Sequence, residues 1–398
     1  MIIQNKFIKK LNVALKPFGG RLYYVGGIVR DDILKIVTKD IDVVVTGINR
    51  ETFEKVLSTH CTVQLVGKSF GVYKCFKDGQ EIDIAFPRKE ISIGDLHNDF
   101  QVDFGPQITL EEDLQRRDFT INAMARDVET GELVDPYGGV NDLNNRTLRQ
   151  LSDNSIKEDY LRALRALQFV SRFGFEIEAE TLVNMKKYEY LFSTISSERV
   201  TVELNKFFRG TNLIKAVKYC KGCNLLEPLF RNVTDQQLAI LEEINKKESY
   251  DELIIYVVFF SFFEDHNEIK DILKIEKGIY KRIKSILSII NKKNASSEDI
   301  KLLLNLLGLD DYKRSIIVKK YLNITSDGEV EVLMLEKIVR ENQPYLLQHL
   351  AVNGDDLIAL GFSGAKVGFI LKKMLLDVIK DQAKNNRDYL LTNFCSYT

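Results

Sequence analysis

Two pairs of acids have the spacing to do chemistry. Asp40-Ile41-Asp42 and Glu81-Ile82-Asp83 each place carboxylates two residues apart inside β-branched runs. Side chains alternate along a strand, so the members of each pair share a face. Such carboxylates repel unless a cation lies between them. Hard oxygen donors suit Mg2+, which keeps part of its coordination for water and phosphate. Asp40 and Asp42 are therefore candidate metal ligands. Asp83, on a neighbouring strand, is the third carboxylate of an arrangement suited to two metals about 3.5–4 Å apart, with Glu81 in reserve.

Upstream, Tyr23-Tyr24-Val25-Gly26-Gly27-Ile28-Val29-Arg30-Asp31 reads as a strand, a glycine turn and a helix. Bare backbone N–H groups at the helix start make a phosphate site at Gly26 and Gly27, and Arg30, about one turn in, adds a cationic fork. Alone, a Gly-Gly pair is usually just a turn and an Asp-x-Asp is usually a solvated strand edge. Asp40 follows Gly27 by 13 residues, and the two features together point to phosphate chemistry.

The elements that must hold these groups are legible in outline. Leu22–Val25, Ile41–Thr46, Thr62–Val66, Gly71–Phe76 and Glu81–Phe86 read as strands of an antiparallel or mixed five-stranded sheet. After Leu148 the texture turns helical, with Pro228 the single proline before residue 340. Apolar residues recur at three and four at Leu161, Leu164, Leu167, Phe169, Val170 and Phe173, and again from Ile272 to Ile290. The expected fold is α+β: an α/β head, then helices to the end.

Bulk composition narrows the class. At 398 residues the chain predicts two to four modules, and 45% hydrophobic with 28% charged residues excludes wholesale disorder. A net charge of −1 is compatible with a nucleic-acid partner, since a local basic groove acts over about 8 Å at physiological salt. Five scattered cysteines and an N-terminus without an apolar run predict reduced thiols in a cytoplasmic protein. The longest apolar run, Leu253–Phe263, falls short of the roughly 20 residues of a membrane span and reads as a buried helix.

Further blocks carry a resemblance. Arg116-Arg117-Asp118-Phe119-Thr120-Ile121-Asn122-Ala123 resembles the RRDFTINA motif of the class II tRNA nucleotidyltransferase and bacterial poly(A) polymerase family, within the DNA polymerase beta superfamily. Asp135-Pro136-Tyr137-Gly138-Gly139 with Asp142-Leu143 and Leu148-Arg149, then Glu158-Asp159-Tyr160-Leu161-Arg162, then Glu198-Arg199 with Glu203-Leu204, are similar to its later motifs. They stand in the family's order, and Gly26–Asp42 is similar to its first. Asn353-Gly354-Asp355-Asp356-Leu357 resembles the tail of bacterial CCA-adding enzymes.

The resemblance implies a seahorse-like molecule. It would comprise a nucleotidyltransferase head (1–145), a helical neck with the base template (146–210), a helical body (211–325) and a tRNA-binding tail (326–398). It also implies template-independent addition of CCA to the 3′ end of tRNA, with CTP and ATP as donors and Mg2+ as cofactor. Asp40 and Asp42 would hold the metals and Asp83 would assist proton removal. Gly26, Gly27 and Arg30 would meet the triphosphate and Arg117 the phosphates or ribose, while Asp118 and Asn122 arrange sugar and loop. Asp159 and Arg162, at i and i+3, would share a helix face and read the base, with Arg165 a further turn along.

Two departures stand out. The arginine expected one turn past Arg165 is Gln168, and the Phe86–Leu110 loop differs from the common form, which keeps a CC-adding or A-adding specialist open. A poly(A) polymerase shares the head motifs, and a non-catalytic RNA-binding relative is the alternative from another class. Cys220-x-x-Cys223 lacks a second ligand pair and reads as packing. His60, His97, His266 and His349 form no metal pattern, and Lys274, Lys277, Lys281, Arg282 and Lys284 read as a solvated helix face or an RNA-backbone contact.

Overall fold

The computed structural model describes residues 5–38, 40–66, 71–77, 79–92, 100–247, 251–292, 296–324 and 328–397. The chain divides into two compact units, Met1–Asn232 and Val233–Thr398.

The first unit opens with α1 (Lys6–Leu15), β1 (Arg21–Val25), α2 (Gly27–Ile33), β2 (Asp42–Thr46) and α3 (Arg50–Ser58). The strands β3 (Thr62–Val66), β4 (Val72–Lys77), β5 (Gln80–Ala85), β6 (Arg88–Ser92) and β7 (Phe100–Phe104) follow. Then come α4 (Leu110–Gln115), β8 (Ala125–Asp127), β9 (Leu133–Val134) and α5 (Gly139–Asn144). The main sheet runs β3-β4-β5-β2-β1-β8-β9, with β2 and β5 parallel and the other pairs antiparallel. It thus has seven strands where five were expected. The two extra ones continue the edge of β1, and at three and two residues they are too short to show a period. The Phe86–Leu110 segment is likewise more than a loop, since β6 and β7 pair as an antiparallel ribbon.

Central β2 buries Val43, Val44 and Val45, because both faces of the sheet are covered. On one face Tyr23, Val25 and Val44 pack with Leu114, Ala123 and Ala125. On the other side α3 is keyed by Phe53, whose ring meets Tyr73 and Phe86 edge-on at 5.2 and 5.3 Å. Each such pair adds about 0.5–1.5 kcal/mol beyond area burial. Strand alternation therefore puts Asp42, two residues before Val44, on the face that α4 and residues 116–125 cover.

Helices complete the unit: α6 (Ser155–Glu158), α7 (Leu161–Phe173), α8 (Ala179–Lys187), α9 (Ser197–Phe208), α10 (Leu213–Gly222) and α11 (Glu227–Phe230). A small parallel pair, β10 (Thr147–Leu148) and β11 (Glu176–Ile177), interrupts them. The apolar positions read from Leu161 onward all fall on α7, which ends where Gly174 turns left-handed at φ 68°.

The second unit is helical throughout its described residues: α12 (Asp235–Lys247), α13 (Glu252–Phe260), α14 (Asn267–Leu273), α15 (Lys277–Ile290) and α16 (Ser297–Leu307), then α17 (Leu309–Tyr321), α18 (Gly328–Arg340), α19 (Gly354–Ala359), α20 (Ala365–Lys380) and α21 (Arg387–Thr392). Every residue of α13 from Leu253 to Phe260 is buried. The periodic run from Ile272 to Ile290 is split, because Lys274 adopts φ 53° between α14 and α15. No described helix is long and apolar enough to cross a membrane.

Candidate active site

The glycine turn forms as read, with β1 passing through Gly26 into α2. Gly26 has φ 70°, a left-handed conformation that favours glycine, and an added Cβ would lie 2.5 Å from the Arg117 guanidinium, which would have to shift. Gly26, Gly27 and Ile28 line a cavity of about 620 Å3. First-turn amides have no acceptor within their own helix and are open to an anion. Arg30 is a brace rather than a free fork. It is 6% exposed, donates to Asp31 Oδ1 at 2.8 Å and to Asn122 Oδ1 at 2.6 Å, and lies on the Phe169 and Phe173 rings.

Asp42 starts β2, and Asp40 lies just before it rather than within the strand. Both carboxylates, with Thr38, border the 620 Å3 cavity and a second one of about 810 Å3. Asp42 is reached by solvent, yet the walls around it remove much of its hydration and push its carboxyl up; Arg117 opposes this, while Asp83 and Asp40 add to it. Crowded anions of this kind call for a cation. Asp83 faces Asp42 across the parallel ladder, so their side chains share a side. Its Oδ1 is buried without a hydrogen bond, 3.5 Å from Lys74 Nζ. Glu81 is taken by the same lysine. Among the described residues no three of His, Cys, Asp and Glu converge as metal ligands. Asp40 and Asp42 form a pair open to substrate oxygens, not a closed trio.

The two cavities differ in charge. Asp40, Asp42, Glu81 and Asp83 face the larger one, with Lys74 as its one described basic lining residue. The smaller one is walled by arginines, including Arg88, Arg116, Arg117, Arg162, Arg165 and Arg172. That sorting suits a polyphosphate on one side of the carboxylate pair and hydroxyl groups on the other.

Residues 113–122 hold the arginines in place. Asp113 is fully buried, and its carboxylate accepts from Arg116 at 2.6 Å, Arg117 at 3.0 Å and the Arg88 amide at 3.2 Å. Burial pushes this carboxyl up, but Arg117 and Arg116 outweigh it and hold it below the usual range. Burial also lowers Arg116 to about 10. Asp118 is buried as well, which raises its carboxyl. Arg165, Asn122 and the Phe119 amide reverse that and bring it to about 2. Arg165 donates to Asp118 at 2.8 Å and to Glu203 at 3.2 Å. Asn122 donates to Asp118 at 2.8 Å, which links this network to Arg30.

Asp159 and Arg162 do not share a helix face. Asp159 is extended (φ −143°, ψ 97°) between α6 and α7, where its Oδ1 accepts the Leu161 amide at 3.1 Å. Asp159 ends α6, Tyr160 is the N-cap of α7, and the local bond from the Leu161 amide to the Asp159 carboxylate replaces the helical spacing. Its Oδ2 is held by Arg199 at 2.7 Å. Arg162 donates instead to Ser155 Oγ at 2.6 Å and to the Arg116 carbonyl at 2.7 Å. Both still line the smaller cavity. Asp113 is not singled out in the sequence, and Arg199 and Glu203, noted there as motif residues, are given no role, although they stand at i and i+4 on α9.

Other motif residues serve the scaffold. Asp135 accepts the Gly139 and Val140 amides at 2.7 and 2.9 Å, and Asp142 ties Thr120 to Arg149 at 2.7 and 3.2 Å. Asn353 and Asp356 form the capping box of α19, so the tail motif is a helix start. Cys220 and Cys223 are buried and burial raises both thiols, as packing residues require. Arg282 is bound to Asp311 at 2.6 and 2.9 Å, whereas Lys277, Lys281 and Lys284 are exposed. His97 lies outside the described residues.

Residues 22–149 match the family described as "Poly A polymerase head domain", and residues 174–237 match "Probable RNA and SrmB- binding site of polymerase A". The chain is 27% identical over 388 residues to the CCA-adding enzyme of Bacillus cytotoxicus, covering 94% of each protein. It is 44% identical over 191 residues to the multifunctional CCA protein of Stenotrophomonas maltophilia, 47% of this chain and 45% of that one. Its fold matches the crystal structure of the Bacillus stearothermophilus CCA-adding enzyme in complex with CTP at a TM-score of 0.71 and 22% identity, over 99% of this chain and 98% of that one. The motif order and the carboxylate pair beside an arginine-walled cavity agree with these likenesses: residues 22–149 match the poly(A) polymerase head domain, and the chain is similar to a CCA-adding enzyme over nearly its whole length.

Proposed function

We propose that the protein adds C, C and A in turn to the 3′ end of tRNA, from CTP and ATP with release of pyrophosphate, without a nucleic-acid template. The observation that carries this is the Asp40–Asp42 pair between an arginine-walled cavity and an acidic one. Attack of an RNA hydroxyl on an α-phosphate needs these two environments side by side.

Family members use divalent metal ions. The donor set here fits Mg2+, with two aspartates of hard oxygen facing substrate-accessible space. When bound, Mg2+ lowers the pKa of the attacking hydroxyl and neutralises charge on the leaving pyrophosphate. Asp40 and Asp42 would hold it. Asp83, with its unsatisfied Oδ1 on the same face, accepts the hydroxyl proton. The Gly26–Gly27 turn and Arg117 receive the triphosphate, and Asp118 with Asn122 keeps the loop and sugar site rigid.

Asp159 and Arg162 choose the base. Cytosine and adenine each present an amino group beside a ring-nitrogen acceptor, matching a carboxylate and a guanidinium. Uracil and guanine would set a carbonyl against Asp159, and a bidentate edge contact discriminates by about 1–3 kcal/mol. Arg199 fixes the first group and Ser155 the second. Arg165 supports from the side through Asp118 and Glu203. The tRNA acceptor arm is the partner, and we place the reaction in the cytoplasm, where the five free thiols stay reduced.

The test is Asp42→Ala against the unaltered chain, on tRNA ending before CCA with CTP, ATP and Mg2+. The unaltered chain extends the tRNA; the variant binds it but incorporates nothing. Equal incorporation by both would refute the assignment.

A further inference from the structure

Along α7 the cationic row changes character at one place. One turn past Arg165 stands Gln168, a neutral side chain that lines the cavity although only 1% exposed, so this position brings no charge there. Its Oε1 accepts from Arg172 Nη1 at 3.4 Å. Arg172 lies one turn further along, exposed, and also lines the arginine-walled cavity.

Three guanidinium groups gather there on two phenyl rings. Phe169 and Phe173 stack with centroids 5.9 Å apart. Arg165 lies 5.8 Å from Phe169, Arg30 lies 5.1 and 5.2 Å from the two rings, and Arg172 lies 4.8 Å from Phe173. Such contacts orient a guanidinium without neutralising it. Arg165 is balanced by Asp118 and Glu203, and Arg30 by Asp31. Arg172 makes no ion pair among the described residues, and its one hydrogen-bond partner there, Gln168, is neutral.

We propose that Arg172, oriented by Gln168 and the Phe173 ring, is a phosphate contact of the nucleotidyltransferase site, carrying one turn further along α7 the charge that position 168 lacks. A planar fork held on one face by a ring presents its N–H edge to solvent, the geometry that phosphate oxygens take up. Arg172 stands with Arg30 on a wall where basic side chains outnumber carboxylates, so an incoming anion meets net positive charge. The inference rests on the reading of the cavity as the nucleotide site. The phosphate is either that of the incoming triphosphate or that of the RNA end.

The experiment measures binding of CTP and of cytidine by calorimetry, and the KM for tRNA ending in CC, with three variants: R172Q, R172K and the double variant Q168R/R172Q. R172Q should weaken CTP about tenfold, the loss of one charge-assisted hydrogen bond, and leave cytidine unchanged. The double variant should recover most of the affinity, because the charge returns one turn earlier; R172K should recover little, because the planar fork is gone. If CTP holds and the KM for tRNA rises about tenfold instead, the contact is to RNA phosphate. Unchanged CTP affinity and unchanged tRNA KM in R172Q would overturn the proposal, as would a double variant no better than R172Q. Failure of the enzymatic reading shows separately, as absent incorporation by the unaltered chain.

Discussion

Replacing Asp118 by Asn removes the charge at the centre of the network that joins α7 to residues 113–122. The carboxyl is depressed from its ordinary 3.8 to about 2. At roughly 1.4 kcal/mol for each pH unit, that difference contributes about 2 kcal/mol to stability. The side chain is 8% exposed, so solvent screening takes little away. Because the folded carboxyl titrates below the unfolded one, this stability is fully present above about pH 4 and fades as pH falls toward 2, with about half lost by pH 3. Asp118→Asn should therefore lower the melting temperature of the Met1–Asn232 unit by about 4–8 °C at pH 7. The gap to the unaltered chain should narrow between pH 5 and pH 3. Calorimetric scans at both pH values test this. Equal melting at pH 7, or a gap that does not shrink with acid, would refute the reasoning.

Two further substitutions probe α7 and α9. At Gly210 an added Cβ would lie 1.7 Å from Ser171 Oγ and 2.4 Å from the Ser171 carbonyl. Gly210→Ala should then destabilise the first unit by about 1–3 kcal/mol in urea unfolding; an unchanged midpoint would show that the helices pack less closely than described. Arg199→Met frees Asp159 Oδ2 from its 2.7 Å ion pair. Incorporation of UMP or GMP relative to CMP should rise about tenfold as the template loosens, and Arg199→Lys should restore part of the fidelity. Unaltered base choice in Arg199→Met would place Asp159 outside the template.

Much of the head is readable because its strands are β-branched runs bounded by glycine, and β1 to β5 fall within a residue or two of the sequence reading. The ribbon β6–β7 is hidden, since β6 begins with three consecutive charges, Arg88, Lys89 and Glu90, and so shows no alternation of apolar and polar residues. The site divides in the same way. Asp40, Asp42 and the Gly26 turn are local patterns and stand together in space. What holds the template is not local: Arg199 reaches Asp159 from 40 residues away, and Arg165 reaches Asp118 from 47. The spacing of Asp159 and Arg162 was read as helical, but a short break between α6 and α7 turns the first into a helix cap. Arg30 shows the complementary case, a residue read as reaching outward that its neighbours hold inward.

The most direct measurement offers purified protein and Mg2+ three tRNA transcripts, ending before CCA, after C and after CC, with CTP, ATP, UTP or GTP. Ordered growth through C, C and A followed by a stop, with UTP and GTP refused, is the result this account predicts. Homopolymer from ATP alone on any RNA, or no incorporation at all, would contradict it.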